Sequence, residues 1–256
     1  MVINKKIMKI IRLSGKKKNF ENAASVTARH ISAGEVAILP TSTIYGLSCA
    51  YDNENALQKI YELKQRPKNL PFIVLISKID SLLQLVGQIN GTADILIKNY
   101  WTDKNSQPLT LVLKKNNSFD SFIAGGSEKI AIRLDGLEIL KKIIELCGPI
   151  VSTSATISGV ALSPKNIKEI PEVIKKNADL IIDLCLDLPG TACVSASSAR
   201  WIMLRPSLDR RKVGELSRSL RLVTFTQQAG GSTTRSTNSS SLSTSAIRAH
   251  CSGVRG

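Results

Sequence analysis

The chain has 256 residues, 43% of them hydrophobic and 4% aromatic, and a formal net charge of +15. That length holds one large domain with a tail or two small ones, and no apolar run approaches the ~18–20 residues a membrane-spanning helix needs. The charge sits at the ends: residues 1–20 carry +7 and residues 200–256 carry +8, while residues 21–199 balance 18 basic against 18 acidic side chains.

Residues 1–20 read as a basic N-terminal arm. They lack the apolar core of a secretion signal, and they are Lys-rich rather than Arg- and Ser-rich, which argues against a mitochondrial leader. Glu35–Pro40 (EVAILP) predicts a short buried strand leading into the loop Thr41-Ser42-Thr43. Asp52-Asn53 offers an N-cap, and Ala56, Leu57, Ile60, Tyr61 and Lys64 recur at helical spacing. That helix should stop before Pro67, because the residue preceding proline avoids the α region. Phe72–Ile76 predicts the next strand, followed by helices near Ser81–Ile89 and Thr92–Trp101. Leu109–Leu113 and Ile130–Leu134 read as strands, and Leu137–Cys147 as a helix stopped by Gly148-Pro149. Pro149–Ser152 is strand-like and runs into a hydroxyl-rich turn; Pro171 opens a helix reaching Asn177, and Leu180–Ile182 is one more strand. Strands alternating with helices predict an α/β layer fold.

Composition changes near residue 195. Between 21 and 199 the only arginines are Arg29, Arg66 and Arg133, whereas nine of the ten cations from 200 onward are Arg. From Ser232 to Ser245, eleven of fourteen residues are Ser or Thr. Without periodic apolar residues to offset ordering entropy, 207–256 is expected to be a disordered tail. The change is equally compatible with a frameshifted or fused C-terminus and with an ordinary low-complexity tail. Five cysteines without a C-x-x-C pair indicate free thiols and hence a cytoplasmic protein. His30 and His250 alone supply no zinc ligand cluster.

Two loops are suited to anions. In Lys64-Gln65-Arg66-Pro67 a point charge and a bidentate fork sit two residues apart at a helix end. The same cations could simply complement the helix dipole. In Ser152-Thr153-Ser154-Ala155-Thr156-Ile157-Ser158-Gly159, five hydroxyls follow an apolar strand and could surround an anion, or merely form a polar turn. The common glycine-rich nucleotide loops are absent, as is any Ser–His–acid or Cys–His set.

Taken in order, Gly34-Glu35-Val36-Ala37-Ile38-Leu39-Pro40-Thr41-Ser42-Thr43-Ile44-Tyr45-Gly46-Leu47, then Lys64-Gln65-Arg66-Pro67, then Ile130-Ala131-Ile132-Arg133, then Ser152-Thr153-Ser154-Ala155, the segments resemble the YrdC-like threonylcarbamoyl-AMP synthase family. The resemblance covers about residues 20–192 and implies a twisted open sheet flanked by helices, with a positively charged cavity, within a domain spanning 21–206. It implies an enzyme joining L-threonine, bicarbonate and ATP (with Mg²⁺) into threonylcarbamoyl-AMP. A partner, a tRNA-modifying transferase complex, would pass the group to a tRNA adenosine beside the anticodon. By matched position, Lys64, Arg66, Ser152, Ser154 and Thr156 would contact the nucleotide; Thr41, Arg66, Thr110 and Arg133 would bind threonine.

The chain departs from the family pattern at four places. Thr156 stands where the family has Asn, and the P-G-P-x-T pattern is reduced to Gln107-Pro108-Leu109-Thr110. The G-T-x-S-T segment becomes Gly190-Thr191-Ala192-Cys193-Val194, and Leu204-Arg205-Pro206 lies beyond the composition change. These departures leave two alternatives to the enzyme: a non-catalytic RNA-binding relative using its basic arms, or a degenerate inactive member.

Overall fold

The apolar runs become strands and the amphipathic runs become helices in a computed structural model. It describes residues 9–14, 18–89, 91–101, 108–117, 122–160, 162–190, 194–197 and 201–202. In chain order the elements are β1 (Lys9–Arg12), α1 (Lys18–Ser32), β2 (Ala37–Pro40), β3 (Tyr45–Ala50), α2 (Glu54–Lys64), β4 (Ile73–Ile76), α3 (Leu82–Leu85) and α4 (Gly91–Tyr100). There follow β5 (Leu109–Lys114), β6 (Lys129–Leu134), α5 (Glu138–Cys147), β7 (Ile150–Ser154), α6 (Glu172–Asn177), β8 (Leu180–Asp183), β9 (Val194–Ser197) and β10 (Trp201–Ile202). The expected tail 207–256 and Arg205 lie outside the described residues.

All ten strands join one mixed, twisted, open sheet in the order β1-β8-β2-β3-β7-β4-β6-β5-β9-β10. Every residue of β2, β3 and β8 is buried, so the sheet is covered on both faces there. Helices α1 and α5 pack on each other, with Ala23, Ala24, Ala28 and Ile31 buried on one and Ile139, Leu140, Ile143 and Ile144 on the other. Small alanines let the two axes approach closely, and Lys142 pairs with Glu21 across the seam.

Local chemistry explains several boundaries. The Asn53 side chain accepts from the Ala56 amide at 2.9 Å and caps α2. The same helix ends at Gln65 in the left-handed region (φ 51°), where its amide and that of Arg66 close back onto Glu62 and Tyr61. One expectation is corrected, and two elements fall in the stretch read as a basic arm. The helix near Ser81–Ile89 is only the four residues of α3, because Val86 leaves in extended conformation to bridge Lys115. Residues 9–12 of the presumed basic arm form β1, an edge strand parallel to β8. The arm's end and the residues after it form α1.

The sheet is also curved. Between Asp183 at the end of β8 and Val194 at the start of β9 the chain has few residues, yet seven strand spacings separate the two strands. A flat sheet would put them about 34 Å apart, close to the roughly 38 Å limit of a fully extended link of that length. The described part of the link is not extended: Cys185 and Gly190 both have positive φ, 56° and 66°. The two halves of the sheet must therefore bend toward each other.

Candidate active site

Pairing register decides which side chains share a face. Thr110 lies opposite Arg133, Arg133 beside Leu75, and Leu75 opposite Ile150. Residues directly opposed across strands lie on one face, and so do alternate residues along a strand. Thr110 and Arg133 thus share a face with Ser152 and Ser154 of β7, and with Gly46 and Ser48, their partners on β3. On that face the structure builds two hydrogen-bonded networks.

The first is centred on Lys64, the last residue of α2, whose side chain is fully buried. Its ammonium donates to the carbonyls of Ser154 and Thr156, both at 2.5 Å, and to Ser154 Oγ at 3.3 Å. An ammonium has three donors, so this one is filled by the turn after β7. The Ser158 amide returns a bond to the Lys64 carbonyl at 2.9 Å, and the hydroxyls of Ser154 and Thr156 lie 3.0 Å apart. Burial, aided by the nearby charge of Arg66, pushes Lys64 down to about 7. Ser152 is tied into β3 through Ser48 Oγ at 3.1 Å. A side chain on Gly46 would bring its Cβ within 2.4 Å of Ser152 Oγ, which is why glycine occupies that position.

The second network is centred on Arg133, also buried. Its Nε donates to Thr110 Oγ1 and its Nη1 to Thr43 Oγ1, each at 3.2 Å. Thr43 Oγ1 is 3.0 Å from Thr41 Oγ1, which caps its own loop by bonding the carbonyl and amide of Ile44. Arg133 Nη2 carries no hydrogen bond among the described residues. Thr43 belongs to the β2–β3 hairpin, and three strands intervene between β2 and β6 in the sheet. Only the curvature of the sheet, or the hairpin folding over it, makes this contact. The hairpin is also held from outside, where the Gly190 amide donates to the Thr43 carbonyl at 2.9 Å.

The residues picked out from sequence thus fall into these two groups: Lys64, Ser154 and Thr156 in one, Thr41, Thr110 and Arg133 in the other, with Ser152 between them on β7. Arg66 joins neither. Its Nη2 donates to the Pro71 carbonyl at 2.8 Å and its guanidinium lies 5.3 Å from the Phe72 ring centre. Its Nε is buried without a partner, as is Ser158 Oγ. Those are the two such atoms among the described residues, and both belong to the segments that meet at Lys64.

Sequence reasoning did not select Thr43, Ser48, Ser158 or Asp135. Thr43 and Ser158 lie inside loops already singled out, and Ser48 one residue beyond the Gly34–Leu47 segment. Asp135 offered no such signal. No group of His, Cys, Asp and Glu among the described residues could hold a metal ion, and no helix among them is long and apolar enough to cross a membrane.

With this geometry in hand, comparison places the chain. The Sua5/YciO/YrdC family profile, described as "Telomere recombination", matches residues 29–206. A Pyrococcus abyssi protein named threonylcarbamoyl-AMP synthase is 34% identical over 184 residues, which is 71% of this chain and 53% of that protein. A Bacillus subtilis protein of the same name is 37% identical over 127 residues, 49% of this chain and 36% of its own length. The chain therefore spans about half, or less, of these relatives. The crystal structure of P. abyssi Sua5 complexed with L-threonine superposes with a TM-score of 0.71 at 29% identity, covering 85% of this chain and 62% of that one. By its family profile, its relatives and its fold, the chain belongs to the Sua5/YciO/YrdC family.

Proposed function

We propose that this chain forms L-threonylcarbamoyladenylate from L-threonine, bicarbonate and ATP, and that the product serves threonylcarbamoylation of a tRNA adenosine next to the anticodon. The observation that carries the reading is the placement of a guanidinium–hydroxyl network and a buried-lysine network on one face of a curved sheet. The relatives named for this activity, and the L-threonine in the P. abyssi complex, support it.

The chemistry asks for alignment and charge neutralisation rather than a protein nucleophile. The threonine ammonium gives up a proton, and the resulting amine condenses with bicarbonate, releasing water, to give the carbamate. A carbamate oxygen attacks the α-phosphorus, and the bond to the bridging oxygen breaks with its electron pair leaving on pyrophosphate. Mg²⁺ arrives with the nucleotide and offsets its phosphate charge.

Arg133 holds the threonine carboxylate through the Nη2 edge, which no described residue bonds, with Thr110 and Thr43 fixing its plane. Thr41 adds a hydroxyl at the same place. Arg66 faces the nucleotide phosphates with its charge, while its Nε stays buried without a partner. Ser152, Ser154 and Thr156 line the nucleotide. Lys64 lends charge from beneath, its donors spent on holding the Ser154–Thr156 turn in shape. The reaction runs in the cytoplasm, in keeping with free thiols at Cys49, Cys147 and Cys185.

Pyrophosphate release from ATP tests the proposal. Release that requires both L-threonine and bicarbonate is expected. Salt-sensitive tRNA binding without such release would replace the enzyme by an RNA-binding relative, and neither behaviour would indicate an inactive member.

A further inference from the structure

We infer that Asp135 is the positioning residue of the threonine subsite, acting through the β2–β3 hairpin rather than on substrate. The inference rests on the proposed reading of that site, but the geometry beneath it stands by itself. Asp135 is completely buried, two residues beyond Arg133 and just past the end of β6. Its carboxylate accepts from the Ser42 amide at 3.1 and 3.2 Å, from Ser42 Oγ at 2.8 Å, and from the Leu137 amide at 3.1 Å. Arg133 Nη1 lies 3.9 Å from the same carboxylate.

A buried carboxylate is costly unless its oxygens are satisfied and its charge is offset. Here the donors come from two separate places, the hairpin tip and the loop entering α5, so the charge joins them. Because Ser42 is turned onto Asp135, the flanking Thr41 and Thr43 are left for the opposite task. Their hydroxyls meet each other, and that of Thr43 accepts from Arg133. Asp135 therefore fixes both members of the Arg133–Thr43 contact: the hairpin through Ser42, and the guanidinium through its charge. Neither Asp135 nor Ser42 need touch threonine to govern how it is held.

The test is Asp135→Asn in the full chain, with Ser42→Ala as the milder variant that keeps the amide bonds. Hydrogen exchange should show the Ser42 and Ile44 amides losing protection at least tenfold in Asp135→Asn, and less in Ser42→Ala, while α2 and β7 keep theirs. In steady-state kinetics the KM for L-threonine should rise about tenfold or more, with the KM for ATP within about twofold of wild type. A merely structural role would shift both KM values together, or neither. Unchanged hairpin exchange in a folded Asp135→Asn chain overturns the inference, and so does an unchanged threonine KM in an otherwise active one. If the wild-type chain makes no adenylate, the functional reading fails instead, and the exchange arm still decides whether Asp135 clamps the hairpin.

Discussion

Lys64 and Arg133 are both buried cations, but the protein uses them in opposite ways. Every donor of Lys64 is spent on the turn that follows β7, two of them on backbone carbonyls. Arg133 spends Nε and Nη1 on hydroxyls and leaves Nη2 without a protein partner among the described residues. A filled ammonium is a structural staple that also supplies field; a guanidinium with a bare edge keeps a donor available for a ligand. The pair shows that matching a cation to a family position does not settle whether it touches substrate. Its hydrogen bonds show only how many donors remain for one.

The difference can be pressed by substitution. The largest effect is expected at Lys64→Ala, which strands the Ser154 and Thr156 carbonyls in a buried place. A loss of about 3 kcal/mol in urea unfolding should accompany loss of activity. A chain of unaltered stability would show that Lys64 is no staple. Arg133→Lys keeps the charge and removes the fork. It should cost about 100-fold in kcat/KM for threonine, or about 2.7 kcal/mol, with stability changed far less than at Lys64. Gly46→Ala pushes a methyl against Ser152 Oγ and the Thr153 carbonyl, at 2.4 and 3.2 Å. Overpacking of this kind costs about 1–3 kcal/mol and should disturb the Lys64 turn more than the Arg133 network.

A subtler consequence follows from the depressed Lys64, held at about 7 mainly by burial and then by Arg66. Triphosphate nearby favours the ammonium, so Lys64 is raised in the complex. The contribution to nucleotide affinity is complete below pH about 7, where the free chain is already protonated. Above that it falls until the pH passes the higher value in the complex. Calorimetry in buffers of different ionisation enthalpy should register uptake of up to one proton near pH 8, absent in Lys64→Met. The smallest change expected is Thr156→Asn, which replaces a hydroxyl 3.0 Å from Ser154 Oγ by an amide that both donates and accepts. Activity should change by less than about tenfold.

Much of this arrangement was legible before the fold was known. The spacing of K-x-R-P and the hydroxyl run led to the Lys64 turn, and apolar periodicity found β2, β4 to β8, α2, α4, α5 and α6 to within a few residues. Strand β3 escaped because Tyr45–Ala50 mixes Gly, Ser, Cys and Ala, which pack tightly against β7 yet carry little strand propensity. Helix α1 escaped because its buried face is mostly alanine and threonine, small side chains that register weakly as an apolar stripe. Asp135 could not have been found from local pattern. Its partner on the hairpin, Ser42, is 93 residues away in the chain, and the bending of the sheet or the folding-over of the hairpin brings the two together.

That two differently employed cations serve one pair of substrates is tested most directly by titrating L-threonine into the chain calorimetrically, with and without a non-hydrolysable ATP analogue. One threonine per chain is expected, bound about 30-fold or more weakly by Arg133→Lys, unmoved by Thr156→Asn, and not displaced by the nucleotide. Threonine binding indifferent to Arg133, or competitive with the analogue, would contradict the account.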